Sequence, residues 1–289
     1  MIPRMNIVAW SNVVPWADLR QVEQDLIISR AIVELFSDSF LASQLRFRGG
    51  TALNKLHFPV PIRYSEDIDL VRTTSGPIGP ILNQVRKVLE PWLGRAAFDQ
   101  SPVAPKLRFR AQAEDPSTSA LIRLKIEINT AETEAYDPPQ NISFEVTNPW
   151  FRGSSAIATF SHEELLGTKL RALLQRDKGR DLLDLAHAVD VFENLNKPRI
   201  VEHFVRYLQK SGQSISRADA ERRMFGKLRN PRFLIDVRPL LSADRAARLT
   251  EAAAKEAFEK VYFGLIALIP GAPWAKSEET MKRLGIPVR

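Results

Sequence analysis

The sequence predicts an α+β fold: a lobe built on a mixed β-sheet flanked by helices, then an all-helical lobe, with a cleft at their junction. Two observations carry this. Between residues 106 and 160 apolar and polar residues alternate with period two, whereas from Ser161 onward the apolar spacing is almost entirely helical. A third is "DIDL" at residues 67–70, an extended run within an otherwise helical first third.

In chain order, "ADLRQVEQDLIISRAIVELF" places Leu19, Val22, Leu26, Ile27 and Ile32 at helical spacing, so residues 16–45 are expected as helix. Gly49-Gly50 interrupts, and "TALNKLHF" suits a short helix beginning at Thr51. Pro59 and Pro61 force "PVPIRY" into an extended crossing. "SEDIDLVRT" follows as a strand with Ile68 and Leu70 inward, and residues 80–94 return to helix. "KLRFRAQ", "LIRLKIEINT", "ISFEVTN" and "SSAIATF" are expected strands. Ser161, with Glu164 three residues on, forms a capping box that opens "SHEELLGTKLRALLQRD". The change of pattern near residues 150–160 sets the expected domains at 1–155 and 156–289. Neither an internal repeat nor a low-complexity tract interrupts them.

Bulk composition narrows the class. Among 289 residues, 44% are hydrophobic and 26% charged, the balance of a soluble globular protein. The absence of cysteine excludes disulfides and thiolate metal sites and fits a reducing cytoplasm. Trp10, Pro15 and Asp18 break up the apolar start, which is therefore not a signal peptide, and "VYFGLIALIP" is too short to span a bilayer. The expected location is cytoplasmic. The net charge of +7 lies entirely in residues 161–289, which hold 24 Lys/Arg against 17 Asp/Glu. That surplus is either ordinary solvated surface or an attraction for a polyanion.

Asp67 and Asp69 flank Ile68, so on a strand both carboxylates leave the same face. Two adjacent anions repel, and divalent cations carrying a nucleotide triphosphate would relieve them. In "LIRLKIEINT", Leu124, Ile126 and Ile128 take one face while Lys125, Glu127 and Asn129 take the other. Glu127 joins the aspartates as a third carboxylate if the strands pair in suitable register. Gly49-Gly50 before Thr51 makes a tight turn at a helix start, exposing backbone N–H groups and a hydroxyl to phosphate oxygens. Alone, a Gly-Gly pair is usually a turn and a D-x-D a solvated strand end; the spacing of the two, with Ser65 just before the aspartates, favours function. Val71 and Arg72 fall where a calcium loop needs an oxygen ligand and glycine, and "HEELL" lacks the second zinc-helix histidine.

In "ELLGTKLRALL", Lys169 falls inside a leucine stripe. Its tip either snorkels to solvent or points into the cleft toward an anion. "GRDLLDLAHAVDVF" carries Asp181 and Asp184 three residues apart. Asp184 either holds Lys169 or meets an acceptor, while Arg180 and Asp181 suit the helix start, where an acid complements the dipole.

Together "RGGTALNKL", "RYSEDIDL", "TKLRALLQR" and "GRDLLDL" resemble the AbiEii-type nucleotidyltransferase toxins of bacterial abortive-infection and toxin–antitoxin systems, within the DNA polymerase β-like nucleotidyltransferase superfamily. The likeness spans roughly Arg48 to Leu185. It implies a phosphate-binding turn at Gly49, Gly50 and Thr51, with Thr51 where serine is commoner, and Arg63 and Ser65 beside the nucleotide. It implies Mg2+ or Mn2+ on Asp67 and Asp69, with Glu127 at the variable third carboxylate, and Lys169 and Asp184 as the family's lysine and aspartate. Glutamate at 127 is the looser match, so one-metal chemistry stays open. Such enzymes are similar to those that add nucleotides to the 3′ acceptor end of tRNA, and they are restrained by an antitoxin, often a winged-helix repressor.

The expected function is therefore metal-dependent transfer of nucleotides from NTP to the tRNA acceptor stem. "ERRMFGKLRNPRF" adds Arg222, Arg223, Lys227 and Arg229, with Met224, Phe225 and Phe233 interleaved as stacking partners, and Arg108 and Arg110 extend the basic surface. Nucleotidylation of a protein or small-molecule hydroxyl, metal-dependent nuclease action and an inactive binding module are the alternatives.

Overall fold

The fold comes from a computed structural model describing residues 2–114, 121–233 and 235–288. The chain divides into two compact units, Met1–Ser161 and His162–Arg289.

The first unit opens with α1 (Arg4–Trp10) and α2 (Leu19–Ser37). Asp18 caps α2 by accepting the Arg20 N–H at 2.8 Å. The single helix expected over 16–45 is broken. Asp38 turns extended and caps α3 (Ser39–Gln44), accepting the Leu41 N–H at 2.9 Å. The chain then leaves helix as β1 (Leu45–Arg48), whose alternate residues Leu45 and Phe47 are buried. A place inside the sheet outweighs local helix preference there. Gly49 opens α4 (Gly49–Ala52), two residues before the expected start, and the backbone widens into a π turn at Leu53–His57.

The remaining strands are β2 (Asp67–Arg72), β3 (Ala97–Asp99), β4 (Lys106–Gln112), β5 (Leu121–Asn129), β6 (Gln140–Asn148) and β7 (Phe151–Thr159), with α5 (Gly79–Leu93) after β2. Among the described residues they form one seven-stranded sheet in the order β3-β4-β5-β2-β1-β7-β6. β2 runs parallel to β5 and antiparallel to β1, so the sheet is mixed, as expected. β3 escapes the sequence reading because three exposed edge residues carry no period. α2 packs across β2, β5, β6 and β7. Burying Leu26, Ile28 and Ile32 there contributes roughly 1.5–3 kcal/mol each. The apolar start of the chain is anchored by a charge: the Trp10 and Trp16 indoles each donate to buried Asp25 at 3.0 Å, and Lys55 reaches it at 2.9 Å.

The second unit is all-helical, as expected: α6 (His162–Gln175), α7 (Gly179–Val191), α8 (Lys197–Lys210), α9 (Arg217–Leu228), α10 (Ala243–Arg248), α11 (Glu251–Gly264) and α12 (Ser277–Leu284). Asn196, Ser216 and Thr250 cap α8, α9 and α11. α6 packs on α7 and α8, and α7 on α11. Its core takes the apolar residues expected at the surface: Met224, Phe225 and Phe233 are 0%, 1% and 5% exposed. They are packing residues, not stacking partners, because α9 turns its apolar face inward and leaves its arginines outside. Among the described residues no helix is long and apolar enough to cross a membrane.

Candidate active site

β2 and β5 pair parallel with Asp67 opposite Lys125 and Asp69 opposite Glu127. The register that the sequence leaves open thus sets Asp67, Asp69 and Glu127 side by side on one face, because all three alternate away from the buried Ile68, Leu70, Ile126 and Ile128. Lys125, unremarked as a site residue in the sequence, stands among them: its Nζ lies 2.9 Å from Asp67 and 3.3 Å from Glu127. Lys106 reaches Glu127 at 3.7 Å from β4. The signal for Lys125 was its place two residues from Glu127 on the same face. Burial first, and then the charge of Asp67, push the Asp69 carboxyl above the usual carboxylate range against the pull of Lys125.

The glycine turn closes over this face. Gly49 has φ +83°, and a Cβ there would overlap the Asp69 carboxylate. A Cβ on Gly50 would overlap the Arg63 guanidinium, and Ser65 lies beside it. Arg63 is buried and donates to the Tyr64 carbonyl at 3.1 Å, so its charge is fixed beneath the turn. Asn54 ties the parts together: its amide donates to the Gly50 carbonyl at 3.0 Å, and its oxygen accepts the Ile62 N–H at 3.0 Å. Only its spacing of four from Gly50 hinted at this.

Thr51 differs from expectation. Its hydroxyl, expected at a phosphate, is buried, donates to the Asp67 carbonyl and lies 2.7 Å from the Ser65 hydroxyl. It pins the start of β2 to the turn rather than facing outward.

Three hard oxygen donors on one face suit Mg2+ or Mn2+, which prefer carboxylates over nitrogen and sulfur ligands. The residues fit such an ion on their own chemistry: a cluster with more carboxylates than cations already draws in an ammonium group.

In the second unit Lys169 is 7% exposed, which rules out snorkelling to open solvent. Its Nζ lies 3.2 Å from Asp181 and 3.0 Å from Asp184, both fully buried. Arg176 grips Asp181 with two bonds, 2.7 and 2.9 Å. Asp181 therefore does more than complement the helix start. Burial opposes its ionisation, yet Lys169 and Arg176 hold its carboxyl below the usual range.

The proposed basic surface divides. Arg108 and Arg110 are exposed on β4, with Arg108 paired to Asp99 at 3.0 Å. Arg222, Arg223 and Arg229 are exposed on and just after α9, Arg222 pairing with Asp219 and Arg223 donating to the Leu174 carbonyl. Lys227 is turned inward, its ammonium committed to the Arg176 carbonyl and Asp177.

The sequence matches the family described as nucleotidyl transferase AbiEii toxin, type IV toxin–antitoxin system, over residues 30–263. No curated protein matches it significantly. Its fold is similar to that of MenT4, a nucleotidyltransferase toxin from Mycobacterium tuberculosis, with TM-score 0.63 and 16% identity, covering 97% of this chain and 93% of that one. JHP933 from Helicobacter pylori aligns with TM-score 0.52 and 18% identity over 93% of this chain and 99% of that one. A nucleotidyltransferase described as such from H. pylori gives TM-score 0.52 and 19% identity, covering 86% and 96%. At these identities the likeness is one of fold. The family match over most of the chain goes further: this protein belongs to the AbiEii nucleotidyltransferase toxins of type IV toxin–antitoxin systems.

Proposed function

We propose that the chain transfers nucleotides from an NTP to the 3′ acceptor end of tRNA and so blocks translation in the cytoplasm. The observation that carries the chemistry is the register of β2 on β5, which lines up Asp67, Asp69 and Glu127 under the Gly49-Gly50 turn. In the reaction an RNA 3′-hydroxyl attacks the α-phosphorus in line; its oxygen–phosphorus bond forms as the bond to pyrophosphate breaks, pyrophosphate leaves, and the hydroxyl proton passes to water. Asp67, Asp69 and Glu127 would hold Mg2+ or Mn2+, which would neutralise charge developing on the phosphoryl oxygens. The turn admits phosphate oxygens because neither glycine carries a side chain. Arg63 beneath it and Ser65 beside it supply a fixed positive charge and a hydroxyl, and Thr51 keeps the turn and β2 in register. The resemblance assigns Lys169 and Asp184 to the reaction as well; their buried 3.0 Å ion pair makes Asp184 the acid that orients Lys169. Arg108, Arg110, Arg222, Arg223 and Arg229 supply exposed charge for the RNA backbone. The partner that restrains the enzyme is an antitoxin, of the winged-helix repressor type.

The test mixes purified protein, Mg2+, labelled NTPs and total tRNA. Label at tRNA 3′ ends is the expected result. Label confined to protein or to a small molecule would remove RNA as the acceptor, and shortened RNA would favour a nuclease.

A further inference from the structure

The second unit contains a cavity of about 530 Å3, well within the size range of small-ligand sites. Its residues include none of the carboxylates or cations assigned above except Arg229 and Lys227. The floor is apolar: Leu228, Pro231 and Leu284 are at least partly exposed there, while Leu182, Met224 and Phe258 are buried. The rim is cationic: Arg229, Arg238 and Lys255 surround it, with Glu251 as the acid on the lining.

What those cations touch decides the reading. Arg238 donates to the Leu249 carbonyl at 3.1 Å, and Lys255 donates to the Gly285 carbonyl. Their heads are thus held in place by backbone oxygens, which fix position without cancelling charge. Among the described residues no carboxylate pairs with Arg229, Arg238 or Lys255. Other cations of this unit do find an acid, as Arg222 finds Asp219 and Lys260 finds Asp190. A concave site with an apolar floor and uncancelled positive charge at its mouth selects a ligand with a flat, weakly polar body and an anionic end.

We propose that this cavity binds one nucleoside phosphate, base on the floor and phosphate among Arg229, Arg238 and Lys255, as a site separate from the NTP that reacts. This deepens the RNA reading and rests on it only for the source of the nucleotide. An unpaired nucleotide of the acceptor RNA and a free nucleotide present the same chemistry, and the experiment separates them. The limited volume of this open-mouthed cavity favours a nucleotide over an acidic segment of a protein partner, which needs a longer groove.

The full chain is titrated by calorimetry in EDTA with AMP, CMP, GMP, UMP and a single-stranded tetraribonucleotide, so that binding dependent on a divalent ion is silent. Saturable binding is expected, weakened about tenfold by Arg229→Glu, with Lys255→Met as the second variant should the first melt early. Tighter binding of the tetranucleotide assigns the site to RNA; equal binding of mononucleotides assigns it to free nucleotide. Absence of binding, binding indifferent to both variants, or displacement by an acidic peptide alone would overturn the proposal. Transfer of label to tRNA with Mg2+ is assayed in parallel. Its failure would sink RNA as the acceptor while leaving nucleotide binding in EDTA intact.

Discussion

Each unit gathers carboxylates around a lysine, but the charge is settled differently. On β2 and β5, Asp67, Asp69 and Glu127 outnumber Lys125 and, from β4, Lys106, and the cluster is only partly exposed. On α6 and α7, Asp181 and Asp184 are matched by Lys169 and Arg176, and both acids are fully buried. Fully buried charge must be paired, because an uncompensated ion inside a protein costs several kcal/mol. A partly exposed cluster can remain short of positive charge, and that shortfall is an affinity for a cation. Balance marks acids that hold a neighbour; imbalance marks acids kept for a ligand.

The contrast breaks most sharply at Asp69. Asp69→Asn should lower nucleotidyl transfer at least about a thousandfold, or ~4 kcal/mol, while unfolding free energy moves by under about 1 kcal/mol. Label incorporation and a urea melt read the two effects, and an active variant would remove Asp69 from the site. In the balanced cluster the sign reverses. Asp181→Asn leaves Lys169 with Asp184 alone, releases the half-exposed Arg176, and should cost about 1.5–3 kcal/mol in the same melt. The lowered pKa of Asp181 also sets a pH dependence: its ionised form stabilises the fold above the unfolded value of about 3.9, and that contribution is lost as pH falls through its lower folded value. Acid unfolding of wild type that Asp181→Asn leaves unchanged would break the assignment.

Gly50→Ala tests the turn. Its Cβ would force Arg63 aside, costing about 1–3 kcal/mol and raising KM for NTP more than it lowers kcat. A silent variant would show that the turn has slack. Lys125→Met should be the mildest. It removes the cation lodged among the acids, lowers metal-free stability by about 0.5–1 kcal/mol, and enlarges the rise in Tm on adding Mg2+. An unaltered Mg2+ shift would mean that Lys125 and the metal do not share the cluster.

Much of the fold was legible because it follows local pattern. Alternation in "KLRFRAQ" and "LIRLKIEINT" marks β4 and β5, and helical spacing marks α6 and α7. The misses share one cause. β1 lies at the end of a helical-looking run, and only its neighbours β2 and β7 make it a strand. Met224 and Phe233 sit between arginines, and only the packing around α9 turns them inward. Thr51 has the right chemistry for a phosphate, but Ser65 and the Asp67 carbonyl are close enough to take its hydroxyl.

The sequence by itself determined the chemistry on offer: two aspartates on one strand face, a pair of glycines able to turn tightly, a lysine in an apolar stripe, and no cysteine. Tertiary structure alone decided which groups meet. Glu127 stands beside Asp69, and Asp181 shares Lys169, through pairings between separate elements. Alternation fixes which way a side chain leaves its strand; only the hydrogen-bonded neighbour fixes what stands opposite, and a slip of one residue would have put Ile126 or Ile128 there instead.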